Sequence, residues 1–521
     1  MTDDVQMEQM APLVPPELAR HQLSPTPTTI PPEPPTIVMG PAIHVFKWFW
    51  DLVRPALLTS GPRRMLGPTA YLDGLRGWAA FMVYWQHHQV WARVGISAEH
   101  IFENSWGWDN RYYFCAFPFI RSLFTGGHCA VAVFFVISGR LNESLSSALF
   151  RRWLRLYIPC ICTTFLYLTM WHMFDIWTAY PKHQSTWIDE VWNWYVELKG
   201  FSFIYRSTGP TAPPWLTYNF HLWSIPVEFR GSILIYTSMF AFTRCTRSAR
   251  NWLMLILVFY FIYIVDTAHY AMFTVGMLYS DLDLQEKAGD LPKFFYRARH
   301  VLGRSRKLFW YLIFVIGMYL SGVPSLHNDI PSLRRSPGWH YLSYLTPETT
   351  LDFKWFYLFW ASALLVISIP RIPWLKAFFE TRFCQYLGRI SFALYLVHGP
   401  VLWTLGDRVY LAVGWTRTDN IEGLKSWLNL YPISPAGPLG MELRFIIPHL
   451  VILLPFTLWL AEIVTKLFDE PSISTKPSRA TRSHGLPAAL HGYGAIHFAL
   501  FRISEGLELK LEYATEKFML R

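Results

Sequence analysis

The sequence predicts an all-α polytopic membrane protein, with ten transmembrane helices and both termini in the cytosol. Three observations carry this. Across 521 residues the hydrophobic share is 52% and the charged share only 16%, well below the ~25% charged residues of soluble domains. Aromatic residues reach 17%, with 25 Trp, 27 Tyr and 39 Phe, as expected where rings gather at two bilayer interfaces. Apolar stretches recur ten times, and Lys and Arg cluster in every second connection. The net charge of +10 therefore reads as cytosolic loops facing a bilayer, and no nucleic-acid partner is expected.

Residues 1–70 read as a Pro-rich cytosolic region carrying PLVPP, SPTPTT and PPEPP, a composition that favours extended, solvated chain. No basic stretch followed by an apolar core opens it, so no cleavable leader is expected. Residues 43–58 mix aromatics with Lys47, Asp51 and Arg54, a pattern suited to the membrane surface. The membrane domain, 71–471, holds apolar segments at 74–91, 126–141, 156–174, 220–242, 252–265, 269–280, 309–323, 353–370, 386–405 and 445–464. The fifth and sixth are short and share one run broken by Asp266-Thr267-Ala268, which predicts a tight helical hairpin.

With ten spans, the basic clusters at Arg63/Arg64, Arg151/Arg152/Arg155, Arg244/Arg247/Arg250, 293–307, 371–382 and 466–482 all face one side, the cytosol. The long connections 92–125, 175–219, 324–352 and 406–443 then form an outer cap. The N-x-Ser/Thr sequon at Asn142 falls on the cytosolic side and is expected to carry no glycan. Residues 472–521 read as a cytosolic tail. The six cysteines have no metal-type spacing and are expected to act as small apolar fillers; no metal is expected. The chain belongs in an endomembrane or the plasma membrane.

The polar residues inside these segments are where chemistry has to be sought, because an ionisable group in lipid is costly unless it faces a cavity or a partner. In YLDGLRGWAAFMVYWQHH (71–88), Arg76 and His87 are eleven residues apart. They share one helix face, roughly 16 Å apart along the axis. A buried structural His with a snorkelling Arg fits that spacing equally well.

In GGHCAVAVFFVISGRLN (126–142), the small residues up to Ser138 and Gly139 suit close helix packing or a ligand-lined bend, and Arg140 needs a partner. Arg152 and Arg155, one turn apart, suit either lipid phosphates or a phosphate-bearing donor. HLWSIPVEFRG (221–231) places Ser224 and Glu228 one turn apart, with Pro226 between them expected to distort the helix. Glu228 needs His87, Arg76 or Arg230 as a partner. Ser391, Tyr395 and His398 form a polar stripe on the ninth segment. Glu470 sits at the mouth of the last one, where a solvated charge is the ordinary case.

Taken in order, YLDGLRGWAAFMVYWQHH, GGHCAVAVFFVISGRL, RRWLRLYIP, WSIPVEF and LYLVHGP resemble the integral-membrane acyltransferase 3 family, most closely its fungal members, over residues 71–471. The resemblance implies ten helices and transfer of an acyl group, often acetyl, from cytosolic acyl-coenzyme A to a hydroxyl. Acyl-coenzyme A is then a co-substrate, with no permanently bound cofactor. The acceptor is a carbohydrate, lipid or secondary metabolite. By that likeness His87 is the essential histidine, Arg76 its paired arginine, and Arg152 and Arg155 the donor-binding pair. Glu228 closes the W-S-x-x-x-E motif opened by Trp223 and Ser224. Tyr395 and His398 match a late Y-x-x-H element, and Glu470 the acid before proline. Ser138 and Gly139 fall in the pocket, and Arg140 departs from the apolar residue found in many relatives.

An alcohol is a poor nucleophile near neutral pH. A base must take its proton, and an imidazole with an ordinary pKa near 6.5 suits that work. His87 is assigned that role, with Glu228 or another acceptor orienting its ring. Two other readings fit the same inward polar residues. One is a transporter or exporter of a small polar or anionic metabolite, which would turn over no acyl-coenzyme A. The other is an acyltransferase in which His398 is the base.

Overall fold

The computed structural model describes residues 49–55, 66–96, 98–102, 107–108, 111–112, 114–140, 145–202, 216–437 and 439–473. The chain divides into a unit Met1–Asp51, whose described residues 49–51 are helical, and a unit Leu52–Arg521 that holds everything below. The Pro-rich stretches, Arg63, Arg64, the Asn142 sequon and residues 474–521 lie outside the described residues, as does the side chain of Arg151.

Each of the ten apolar segments is a helix. They are α1 (Ala70–Ala92), α2 (Gly127–Ser138), α3 (Leu145–Phe174) and α4 (Ser224–Phe242); α5 (Arg247–Ile264), α6 (Ala268–Lys287) and α7 (Arg306–Ser321); and α8 (Phe353–Arg371), α9 (Arg382–Val401) and α10 (Gly440–Asp469). Among the described residues, four helical stretches are long and apolar enough to cross a membrane: Arg152–Phe174 within α3, α5, α8 and α10. A helix at Trp187–Ser202 and a two-residue antiparallel ladder, Gly107–Trp108 with Arg111–Tyr112, belong to the connections.

The helix boundaries have local causes. Thr246, Asp352 and Thr381 accept from Ala249, Lys354 and Cys384 backbone N–H groups, capping α5, α8 and α9. The expected hairpin is present. Asp266 takes a positive φ of 51° and Thr267 N–H returns to Phe261 O at 2.8 Å, so α5 stops and α6 starts at Ala268. The expected distortion at Pro226 is displaced. Pro226 sits in the first turn of α4, where no helical N–H bond is lost. The break falls earlier, at Asn219, whose extended backbone (φ −162°, ψ 82°) interrupts the short helical run Thr217–Trp223.

Helices α1 and α9 form the spine. A Cβ on Gly77 would strike the Gly388 backbone, and a Cβ on Gly388 would strike Asp73 O, so the two main chains touch where the sequence reads DGLRG. Arg76 uses that contact, donating from Nη2 to Gly388 O at 3.1 Å. A second glycine crossing joins α2 to α6, where Gly139 faces Phe273 O and Gly276 faces Val136 O. Small residues at both crossings permit the dispersion contacts that hold helices together when lipid removes the hydrophobic drive. All six cysteines are free thiols.

Candidate active site

Three imidazoles from three elements meet beside this spine. His87 lies near the end of α1, His398 near the end of α9, and His221 on the run before α4. The rings of His87 and His221 are 3.9 Å apart, those of His221 and His398 4.7 Å, and those of His87 and His398 5.1 Å and nearly parallel at 7°. Helix α9 pins the run that carries His221. Asn219 Nδ2 donates to Leu396 O at 2.9 Å. The Tyr395 hydroxyl donates to His221 O, which leaves its oxygen to accept from Ser224 Oγ at 2.8 Å. Gly399 makes room for the cluster, since a Cβ there would lie 2.6 Å from His221 Nδ1.

The hydrogen bonds fix which nitrogen can work. His398 Nδ1 is 3.2 Å from Leu394 O, and a carbonyl only accepts, so Nδ1 carries the proton. In the neutral ring His398 Nε2 is then an acceptor, and it lies 3.0 Å from His87 Nδ1. His87 therefore donates from Nδ1 and keeps the lone pair on Nε2. His221 and His398 are buried, whereas His87 is partly exposed. The arrangement presents one basic nitrogen, backed by a second imidazole that is itself tied to the main chain. The three side chains also offer nitrogens within 4.8 Å of one another, near enough for one cation, although the His87–His398 hydrogen bond occupies a lone pair such an ion would use.

The arginines gather as the sequence suggests. Arg155 lies within electrostatic reach of Arg152, Arg76, Asp469 and Glu228. Arg152 Nη2 donates to Glu228 Oε1 at 2.7 Å and its Nε to Ser232 Oγ at 3.1 Å, while Ser138 Oγ donates to Glu228 Oε1 at 3.1 Å. Glu228 is thus the counter-ion of Arg152. It does not orient His87; His398 does.

Other expected residues land differently. Gly139 serves the α2–α6 crossing, and Ser391 Oγ turns back to Gly388 O of its own helix. Arg140 finds its partner in Asp283. Glu470 pairs with Arg389 at 2.8 Å in a half-exposed contact, and the carboxylate beside Arg76 and Arg155 is the neighbouring Asp469. Trp223 stands beside His269. The sequence reading missed His221 and Asp469, although His221 opens the quoted HLWSIPVEFRG.

The family described as an acyltransferase domain matches residues 69–462 of this chain. The O-acetyltransferase PaAT-1 of Phomopsis amygdali is 31% identical over 401 residues, covering 68% of this chain and 76% of that protein. Acyltransferase R4 of a Phoma species is 21% identical over 412 residues, covering 66% of this chain and 84% of the relative. Acyltransferase clz18 of Cochliobolus lunatus is 20% identical over 429 residues, covering 68% and 87%. No solved structure matches the chain. A match that spans the helices carrying His87, Arg152, Glu228 and His398 places this chain in the acyltransferase 3 family.

Proposed function

We propose that the chain is a ten-span membrane O-acyltransferase with both termini in the cytosol, moving an acetyl or similar group from acyl-coenzyme A to a hydroxyl of a carbohydrate, lipid or secondary metabolite. The printed activity of the Phomopsis relative, an O-acetyltransferase, supports hydroxyl acylation. The single observation that carries the reading is the chain Leu394 O, His398, His87, which leaves a lone pair on His87 Nε2.

In the reaction, the acceptor oxygen attacks the thioester carbonyl as His87 Nε2 takes its proton. The tetrahedral intermediate then collapses with cleavage of the carbon–sulfur bond. The departing thiolate recovers the proton from the His87 imidazolium, giving the ester and free coenzyme A with no net proton change. Arg76, Arg152 and Arg155 bind the donor's phosphates, for which guanidinium forks are suited. Purified protein in detergent, supplied with labelled acetyl-coenzyme A and a panel of alcohols, should release coenzyme A and form labelled ester. His87→Ala should lower that rate by about 10²–10⁴-fold, the usual worth of a general base, with insertion and melting unchanged. Wild-type-like turnover in His87→Ala would remove His87 from the mechanism.

A further inference from the structure

A second cluster of polar and aromatic side chains adjoins His87 and has no part in the chemistry above. It is built from the starts of three helices and the end of the run before α4: His128 on α2, His269 on α6, Lys354 and Trp355 on α8, and Trp223. The two indoles meet at 5.6 Å and 66°. The Trp355 ring lies 4.3 Å from His269 and 6.2 Å from His128, and Lys354 Nζ stands 5.5 Å from its centroid. His128 is within electrostatic reach of His87 on one side and of Lys354 and Arg121 on the other.

Two features mark this cluster as a binding wall rather than packed core. All five side chains keep partial exposure, as His87 does, although α8 and α2 are otherwise largely buried. Their hydrogen-bonding capacity is also unspent. Among the described residues neither imidazole makes a hydrogen bond, and His269 Nε2 is sealed from solvent without a partner. The Lys354 ammonium makes none either; the carboxylate paired with it, Asp352, is 3.9 Å away and already caps α8 through the Lys354 N–H at 3.0 Å. Buried polar groups are satisfied in nearly all native structures, so the orphaned His269 Nε2 in this aromatic recess calls for a ligand. Indole faces beside a few convergent polar groups are the usual make-up of a site for a rigid apolar molecule. The Lys354 ammonium, whose carboxylate partner Asp352 stands 3.9 Å off, favours an anionic group on that molecule.

We infer that this recess is the acceptor subsite, and that it takes a hydroxylated, rigid apolar scaffold bearing a carboxylate, with the carboxylate on Lys354 and the hydroxyl turned toward His87. The inference rests on the O-acyltransferase reading and names its acceptor class. The full chain in neutral detergent is given acetyl-coenzyme A with deoxycholate or with its methyl ester, two probes of one polycyclic alcohol that differ in charge. The acid should exceed the ester in kcat/KM by about tenfold or more, the scale of one charge-assisted hydrogen bond. Lys354→Met should bring the two probes to near parity through KM for the acid, and Lys354→Arg should restore the preference. Equal use of both probes by the wild type, or an undiminished preference in Lys354→Met, overturns the assignment. So does turnover of neither probe while coenzyme A release still depends on His87. Absence of any His87-dependent release instead overturns the enzymatic reading beneath it. Phosphatidylglycerol retained by wild type and lost from Lys354→Met in native mass spectrometry, with no acid preference, would make the recess a lipid headgroup site and reject the acceptor assignment.

Discussion

Replacing His398 by Phe removes the acceptor that fixes His87 while keeping ring volume beside His221. In the wild type His87 Nδ1–H has a partner at 3.0 Å; in the variant it has none. A buried donor left unsatisfied costs about 1–3 kcal/mol. Offsetting that cost by moving the proton to Nε2 or turning the ring takes the basic nitrogen away from the acceptor. At 1.36 kcal/mol per decade the productive form is depleted roughly 5- to 150-fold.

The assay is coenzyme A release from purified protein at saturating acceptor, with kcat and KM separated. Expected is a fall in kcat of about one to two decades and a donor KM within about twofold, the pattern of an effect confined to the transition state. His398→Gln, whose carbonyl oxygen can still accept from Nδ1–H, should recover most of the loss. A Phe variant within about threefold of the wild type in kcat would refute the tautomer argument. A Phe variant more damaged than His87→Ala would transfer the base role to His398.

Two further outcomes follow from the same geometry. Arg152→Met should destabilise the protein by about 2–3 kcal/mol, below the 3–5 of a fully buried broken pair, because Arg152 and Glu228 retain 11% and 19% exposure. Arg152→Met/Glu228→Met should melt in detergent above either single variant, and a double variant no better than the worse single one would show that the pair is not coupled. Because the proton transfer proposed for His87 uses no ion, 1,10-phenanthroline should leave turnover within about twofold. A loss restored by zinc would instead place an ion on His87, His221 and His398.

Elements governed by local pattern were legible before the structure. The ten apolar runs are ten helices, and Asp266 turns a hairpin because the run it interrupts is polar at its centre. The need of Arg140 for a partner was readable as well, although Asp283, 143 residues further on, was not. Pairings across the bundle escaped for the same reason. Periodicity shows which face of α1 carries His87, but its contact with His398 spans 311 positions. Glu228 illustrates the cost of choosing a partner by chemistry alone. A carboxylate orients a histidine well, yet Arg152 on α3 donates to Glu228 at 2.7 Å, and a guanidinium is always charged. His221 escaped because it rides on a short helical run broken at Asn219, whose path no helical period predicts.

The glycine contact between α1 and α9 has a consequence for how substrates enter. The two imidazoles that share a hydrogen bond ride on the two helices whose main chains touch, and neither helix can slide or tilt without driving backbone atoms into one another. Any breathing that admits the substrates proposed above must then come from helices on the far wall, leaving the two imidazoles stationary while the door moves.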